Sequence, residues 1–220
     1  MERTTTLIRA KEIMGVNFIG TEELKSIEKE MGIFVPDEIL EQPPKINFVE
    51  ELLENHKNDY LLILGIPYYK DRTPLTIVKM REHFGWEPDK SEPCFYNQDW
   101  YINEEFANKT SLEFKWYLLK KNVYEEHRGK TINDFDNLQL PSAVLVTYLF
   151  FSFLFHSKSE ILWENTFIWC SDQDIHGDQI YVGRYKDPLR INKNGFNIHR
   201  YLKVRSNFSL IDVKNLNDII

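Results

Sequence analysis

The chain has 220 residues, of which 42% are hydrophobic and 14% aromatic, which excludes a disordered chain and supplies apolar material for an ordered core. Its 27 Lys and Arg stand against 34 Asp and Glu, a net charge of −7, so its field repels phosphate backbones and nucleic acid is not an expected partner. Two cysteines, Cys94 and Cys170, sit in no CxxC pattern; they exclude a disulfide framework and predict buried thiols in a reducing compartment.

The amino-terminal "MERTTTLIRAKEIMG" has neither the uninterrupted apolar stretch nor the small-residue cleavage site of a secretory signal, so a cytoplasmic protein is expected. Leu7, Ile8, Ala10, Ile13 and Met14 fall near helical spacing, with Gly15 as a stop. A second helix is predicted from Thr21 as N-cap, through Glu22 and Glu23, to Gly32. The two together predict a helical hairpin. A Pro-Pro turn and a third short helix from about Phe48 follow, then "DYLLILGI" (59–66), an apolar run bounded by turn residues that reads as a buried strand.

In "TPLTIVKMREHFG", Thr73 is the predicted cap and Pro74 the first turn of another helix. "EPDKSEP" reads as a loop, and Asp99 in "YNQDW" as a helix cap. "SLEFKWYLLKK" (111–121) alternates, with Leu112, Phe114 and Trp116 on one face and Glu113, Lys115 and Tyr117 on the other, which predicts a strand.

From Ala143 to Phe155 the chain is apolar except for Thr147 and Ser152. Thirteen residues rise roughly 20 Å, short of a hydrocarbon core of roughly 30 Å, so a buried helix is expected and no membrane span. Pro141 and Ser142 suit its start, His156 and Lys158 its end, and apolar residues all round place it centrally. "TFIWCS", "QIYVGRY" and "NFSLIDV" predict further strands, and "HRYLKVR" a solvated face. The expected fold class is α+β: one domain over 1–220, with a helical part over about 1–56 packed with a mixed part over about 57–220. The latter carries a mainly antiparallel sheet and one buried central helix.

"SDQDIHGDQI" (171–180) resembles the start of a calcium loop. Counted from Asp172, however, His176 holds the fifth position and Gly183 the twelfth, where a bidentate Glu is required. Strand-like flanks favour a hairpin turn instead. Asp99, Glu113 and Lys115 resemble the PD-(D/E)xK nuclease pattern, which would use carboxylates to hold a divalent ion and a lysine to orient water, although no Pro-Asp precedes them in place. His83 has no His or Cys at ligand spacing, His127 after Glu125 and Glu126 reads as a solvated turn rather than a metal ligand, His199 beside Arg200 reads as surface, and no nucleophile elbow or phosphate loop is present. Phe95, Tyr96, Trp100 and Tyr101 in "CFYNQDWY" form either a stacking platform for a sugar or base or a well-packed loop.

In order, "EIMGVNFIGTEEL", "DYLLILGI", "DWYINEEFA" with "SLEFKWYLLKK", and "ILWENTFIWCSDQDIHGDQIYVGRY" resemble a family of uncharacterised bacterial proteins over most of residues 11–185. That resemblance implies no activity, cofactor or partner. The family's pattern takes Trp116 and the Leu-Lys that follows but not Lys115, and it includes the aspartate turn with its "YVG"; the chain departs from it at residues 67–90 and after Tyr185. The expectation is a non-catalytic binding or interaction protein with the segment around Trp100 as its surface, no cofactor, and no assigned catalytic or metal-binding residue. A metal-dependent hydrolase using Asp99, Glu113 and Lys115 is the alternative.

Overall fold

Thr6 ends an extended amino-terminal segment; its side chain accepts the Arg9 N–H at 3.2 Å and starts α1 (Leu7–Met14), which buries Ala10, Ile13 and Met14. The structure, a computed structural model, describes residues 4–87, 93–134, 138–158, 160–185, 195–200 and 203–214. After α1 comes a strand of two residues, β1 (Phe18–Ile19), too short to leave a periodic signature, which pairs in parallel with β2 (Tyr60–Leu64). The second predicted helix is two, α2 (Thr21–Ser26) and α3 (Glu28–Met31). Its cap is Gly20 rather than Thr21: the Glu23 carboxylate accepts the Gly20 N–H at 3.0 Å, and the Phe18 ring occupies the space a Cβ would need. Two short helices follow, α4 (Asp37–Glu41) and α5 (Glu50–His56).

Three further expectations are corrected. Thr76, not Thr73, caps α6 (Ile77–Phe84), because its side chain accepts the Lys79 N–H at 3.2 Å while Asp71 holds Thr73 in a turn. Asp99 caps no helix: α7 (Glu105–Asn108) begins after Glu104, and the Asp99 carbonyl instead accepts the Ile102 N–H in a turn. β3 covers only Trp116–Lys120, since the Lys115 N–H donates to the Glu113 carbonyl at 2.9 Å and bends the chain off the ladder.

Ser142 caps α8 (Ala143–His156), its oxygen accepting the Leu145 N–H at 3.4 Å. Every residue from Ala143 to Phe153 is buried, and the helix packs on α2, α3, α6 and α7. Its Phe151 ring stacks on Phe84 at 4.0 Å and its Tyr148 hydroxyl donates to the Leu64 carbonyl at 3.0 Å. The two polar residues are satisfied inside, with Thr147 donating to the Ala143 carbonyl at 2.7 Å and Ser152 facing the Met31 sulfur at 3.9 Å. Among the described residues no helix is long and apolar enough to cross a membrane.

The remaining strands are β4 (Phe167–Gln173), β5 (Gln179–Tyr185), β6 (Gly195–Arg200), β7 (Phe208–Ser209) and β8 (Val213–Lys214). They give two four-stranded, mainly antiparallel sheets, ordered β1-β2-β3-β8 and β6-β5-β4-β7. The α+β class is therefore the observed one, with the amino-terminal helices, α8 and both sheets sharing a continuous core. The second sheet is buried on both faces. Ile168, Cys170, Ile180 and Val182 join that core, while Phe167, Trp169, Tyr181 and Phe208 form a second cluster on the opposite face. Residues after Tyr185 supply both edges of the second sheet, β6 and β7, and one edge of the first, β8.

Candidate functional site

The aspartate stretch is the turn of the β4–β5 hairpin, and the carboxylates of Asp172 and Asp174 are engaged with the protein. Asp174 is buried; its Oδ1 accepts the N–H groups of His176 and Asp178, both at 2.9 Å, and its Oδ2 accepts from Arg200 at 3.3 Å. Burial raises the Asp174 pKa, but these donors outweigh it and the net shift is downward. Asp172 accepts the Ala143 N–H at 2.6 Å, and burial pushes its pKa up. Gly177 takes φ +83° in the turn. Among the described residues no group of three or more His, Cys, Asp and Glu is placed to hold a metal ion.

Asp99, Glu113 and Lys115 do not converge. Asp99 is paired with Arg81, whose guanidinium lies 4.3 Å from the Trp86 ring. Glu113 is paired with Lys115 at 2.8 Å, and both line a cleft to which Asp99 does not contribute.

The aromatic segment is packed. Phe95 and Tyr101 are fully buried, and Trp100 is half-buried with its indole N–H donating to the Ile198 carbonyl at 3.1 Å. The Tyr96 N–H donates to the Phe196 carbonyl at 2.8 Å and the Gln98 amide to that of Ile198 at 2.6 Å, so residues 95–100 cover the open edge of β6. His83 is likewise structural, with Nε2 2.7 Å from the Glu30 carbonyl.

The cleft has a volume of about 390 Å³ and lies where the two sheets meet at the amino-terminal end of α8. Phe48, Leu112, Trp116, Leu145 and Val213 give it apolar walls; Thr110, Ser111, Ser142, Ser171, Asn47 and Gln139 give it hydroxyls and amides. Lys115 and Lys214 are its cations. Lys214 is held by Asp212 at 2.9 Å, and the other Asp212 oxygen accepts the hydroxyls of Tyr60 at 2.8 Å and Tyr124 at 3.0 Å. Burial is the main reason that the Tyr60 pKa is driven far up and that of Tyr124 up to about 12. Lys120 and Lys214 lie 5.2 and 5.8 Å from the Tyr60 ring centre, and the His56 ring packs on it at 4.5 Å. This network fixes the β8 wall of the cleft.

Sequence reasoning picked out two cleft residues, Glu113 and Lys115, for another chemistry, and missed Ser111, Ser142 as a lining group, Asp212 and Lys214. One signal was available: Asp212 is a lone acid in the apolar run "SLIDV", and a buried carboxylate demands partners. Comparison with protein-family models, curated proteins and solved structures finds no match to this chain.

Proposed function

We propose that the protein is a non-catalytic binding protein whose ligand is a small polar molecule seated in the cleft between β3, β8 and the segment leading into α8. The observation that carries this reading is the meeting in one cleft of apolar walls with hydroxyl and amide groups from several separate segments, the mixture small-molecule sites use to bury a ligand and orient it. The segment around Trp100 is a weaker candidate, because Phe95 and Tyr101 are buried and the Trp100 indole N–H is engaged with β6. A hydrolase built on Asp99, Glu113 and Lys115 has less support still, since Asp99 is engaged with Arg81 outside the cleft. Two buried thiols are consistent with a cytoplasmic setting, and membership of the uncharacterised bacterial family is part of the same proposal.

Thermal unfolding against a library of amino acids, nucleosides, sugars and their phosphates tests the cleft. A ligand at a hundred times its Kd raises stability by about 2.7 kcal/mol. Ser171 is exposed on the rim, so Ser171→Trp should fill the cleft without unfolding the protein and abolish the shift. An equal shift in both proteins, or none with any compound, would sink the reading.

A further inference from the structure

Taking the cleft as the ligand site, we infer that its ligand is an uncharged polyhydroxylated molecule, a sugar or polyol. The charge pattern is the first reason. The lysines that line the cleft are each already matched, Lys115 to Glu113 at 2.8 Å and Lys214 to Asp212 at 2.9 Å. An anion seated against either lysine displaces or crowds a carboxylate, so it gains only the difference between two similar pairings.

The second reason is the direction of the hydroxyl protons. Ser111 donates to the Pro67 carbonyl at 3.0 Å and Thr110 to that of Glu105 at 3.4 Å, so both present oxygen lone pairs. Ser142 is the reverse: its oxygen accepts the Leu145 N–H, which leaves its proton free to donate. The cleft therefore asks for donors facing Ser111 and Thr110 and an acceptor facing Ser142. A hydroxyl does both; a carboxylate or phosphate oxygen only accepts. Leu112, Trp116, Leu145 and Val213 supply apolar surface for the C–H faces between such hydroxyls.

Isothermal titration with a panel of neutral hexoses, disaccharides and inositol, each beside its phosphate or uronic acid, tests the inference on the full chain. A neutral member should bind saturably, lose binding in Ser171→Trp, and bind about tenfold more weakly to Ser111→Ala, the loss of one hydrogen bond. A ligand lacking the hydroxyl that meets Ser111 should bind wild type and Ser111→Ala alike, and Thr110→Val serves as a second variant should Ser111→Ala unfold early. Tighter binding of the charged forms would overturn the hydroxyl inference while leaving the cleft as the site. Binding of neutral sugars that survives Ser171→Trp would overturn both readings, and no binding by any sugar or polyol would overturn this one.

Discussion

The Asp172 carboxylate accepts the Ala143 N–H at 2.6 Å, so the β4–β5 hairpin caps the central helix from another part of the chain. Its folded pKa is raised, chiefly by burial. A raised carboxyl pKa means that the folded state holds a proton more readily than the unfolded state, so this group's contribution to stability falls as pH rises through the folded pKa. Asp172→Asn keeps an oxygen for the Ala143 N–H and removes the buried charge; its unfolding midpoint at pH 7 should equal or exceed that of wild type. Asp172→Ala should lose about 1 kcal/mol, the usual scale of a lost cap. Chemical denaturation of both variants at pH 7 and pH 4 checks the order and its pH dependence.

Asp212 joins three partners, and its removal takes away the carboxylate oxygen that the Tyr60 and Tyr124 hydroxyls share. Asp212→Ala should cost about 3 kcal/mol, whereas Tyr60→Phe, which leaves Tyr124 and Lys214 on the carboxylate, should cost about 1 kcal/mol. Hydrogen exchange should show the first change opening the β3–β8 ladder and the second leaving it closed.

His56 and His83 both have pKa values lowered by burial, with Lys214 next in effect for His56; for His83 the Glu30 carbonyl opposes the shift. A base that protonates less readily when folded withdraws stability as pH falls through its unfolded value of roughly 6.5. Replacing both with Gln should flatten the loss of thermal stability between pH 7 and pH 5. A double variant with the wild-type slope would contradict this account.

Gly183 pairs with Phe167 in the β4–β5 ladder, and a Cβ there would collide with the Thr166 carbonyl oxygen and crowd the Phe167 backbone. Backbone cannot swing aside as a side chain can. Gly183→Ala should destabilise by about 3 kcal/mol, while Gly177→Ala in the turn, with open space around it and only its φ of +83° opposing a side chain, should cost about 1 kcal/mol. Equal denaturation midpoints for the two would contradict this order.

What the sequence made legible was whatever rests on local periodicity. The α8 helix, with Ser142 at its start and His156 at its end, was readable because a largely apolar run too short to cross a membrane is accommodated as a buried helix. The β4–β5 hairpin was readable because Asp and Gly between alternating runs are turn chemistry. Caps displaced to Gly20 and Thr76 were not, because several nearby residues suit a cap and tertiary contacts, such as the Phe18 ring at Gly20, choose among them. β1 was too short to signal, and the cleft was illegible because its walls come from residues 47 to 214, far apart in the chain. Glu113 and Lys115 attracted notice for a metal chemistry, yet their geometry makes them a matched pair.

β8 supplies the outer strand of a sheet whose other members lie between residues 18 and 120. Tyr60 and Asp212 meet across 152 positions of sequence. During synthesis, then, β3 leaves the ribosome long before its outer neighbour, with the Tyr60 hydroxyl still lacking its carboxylate. At elongation rates of about 5–20 residues per second, the interval between Lys120 and Val213 lasts on the order of several seconds. For that time the nascent chain carries an unpaired β3 edge, and completion of the first sheet waits for the arrival of Val213 and Lys214.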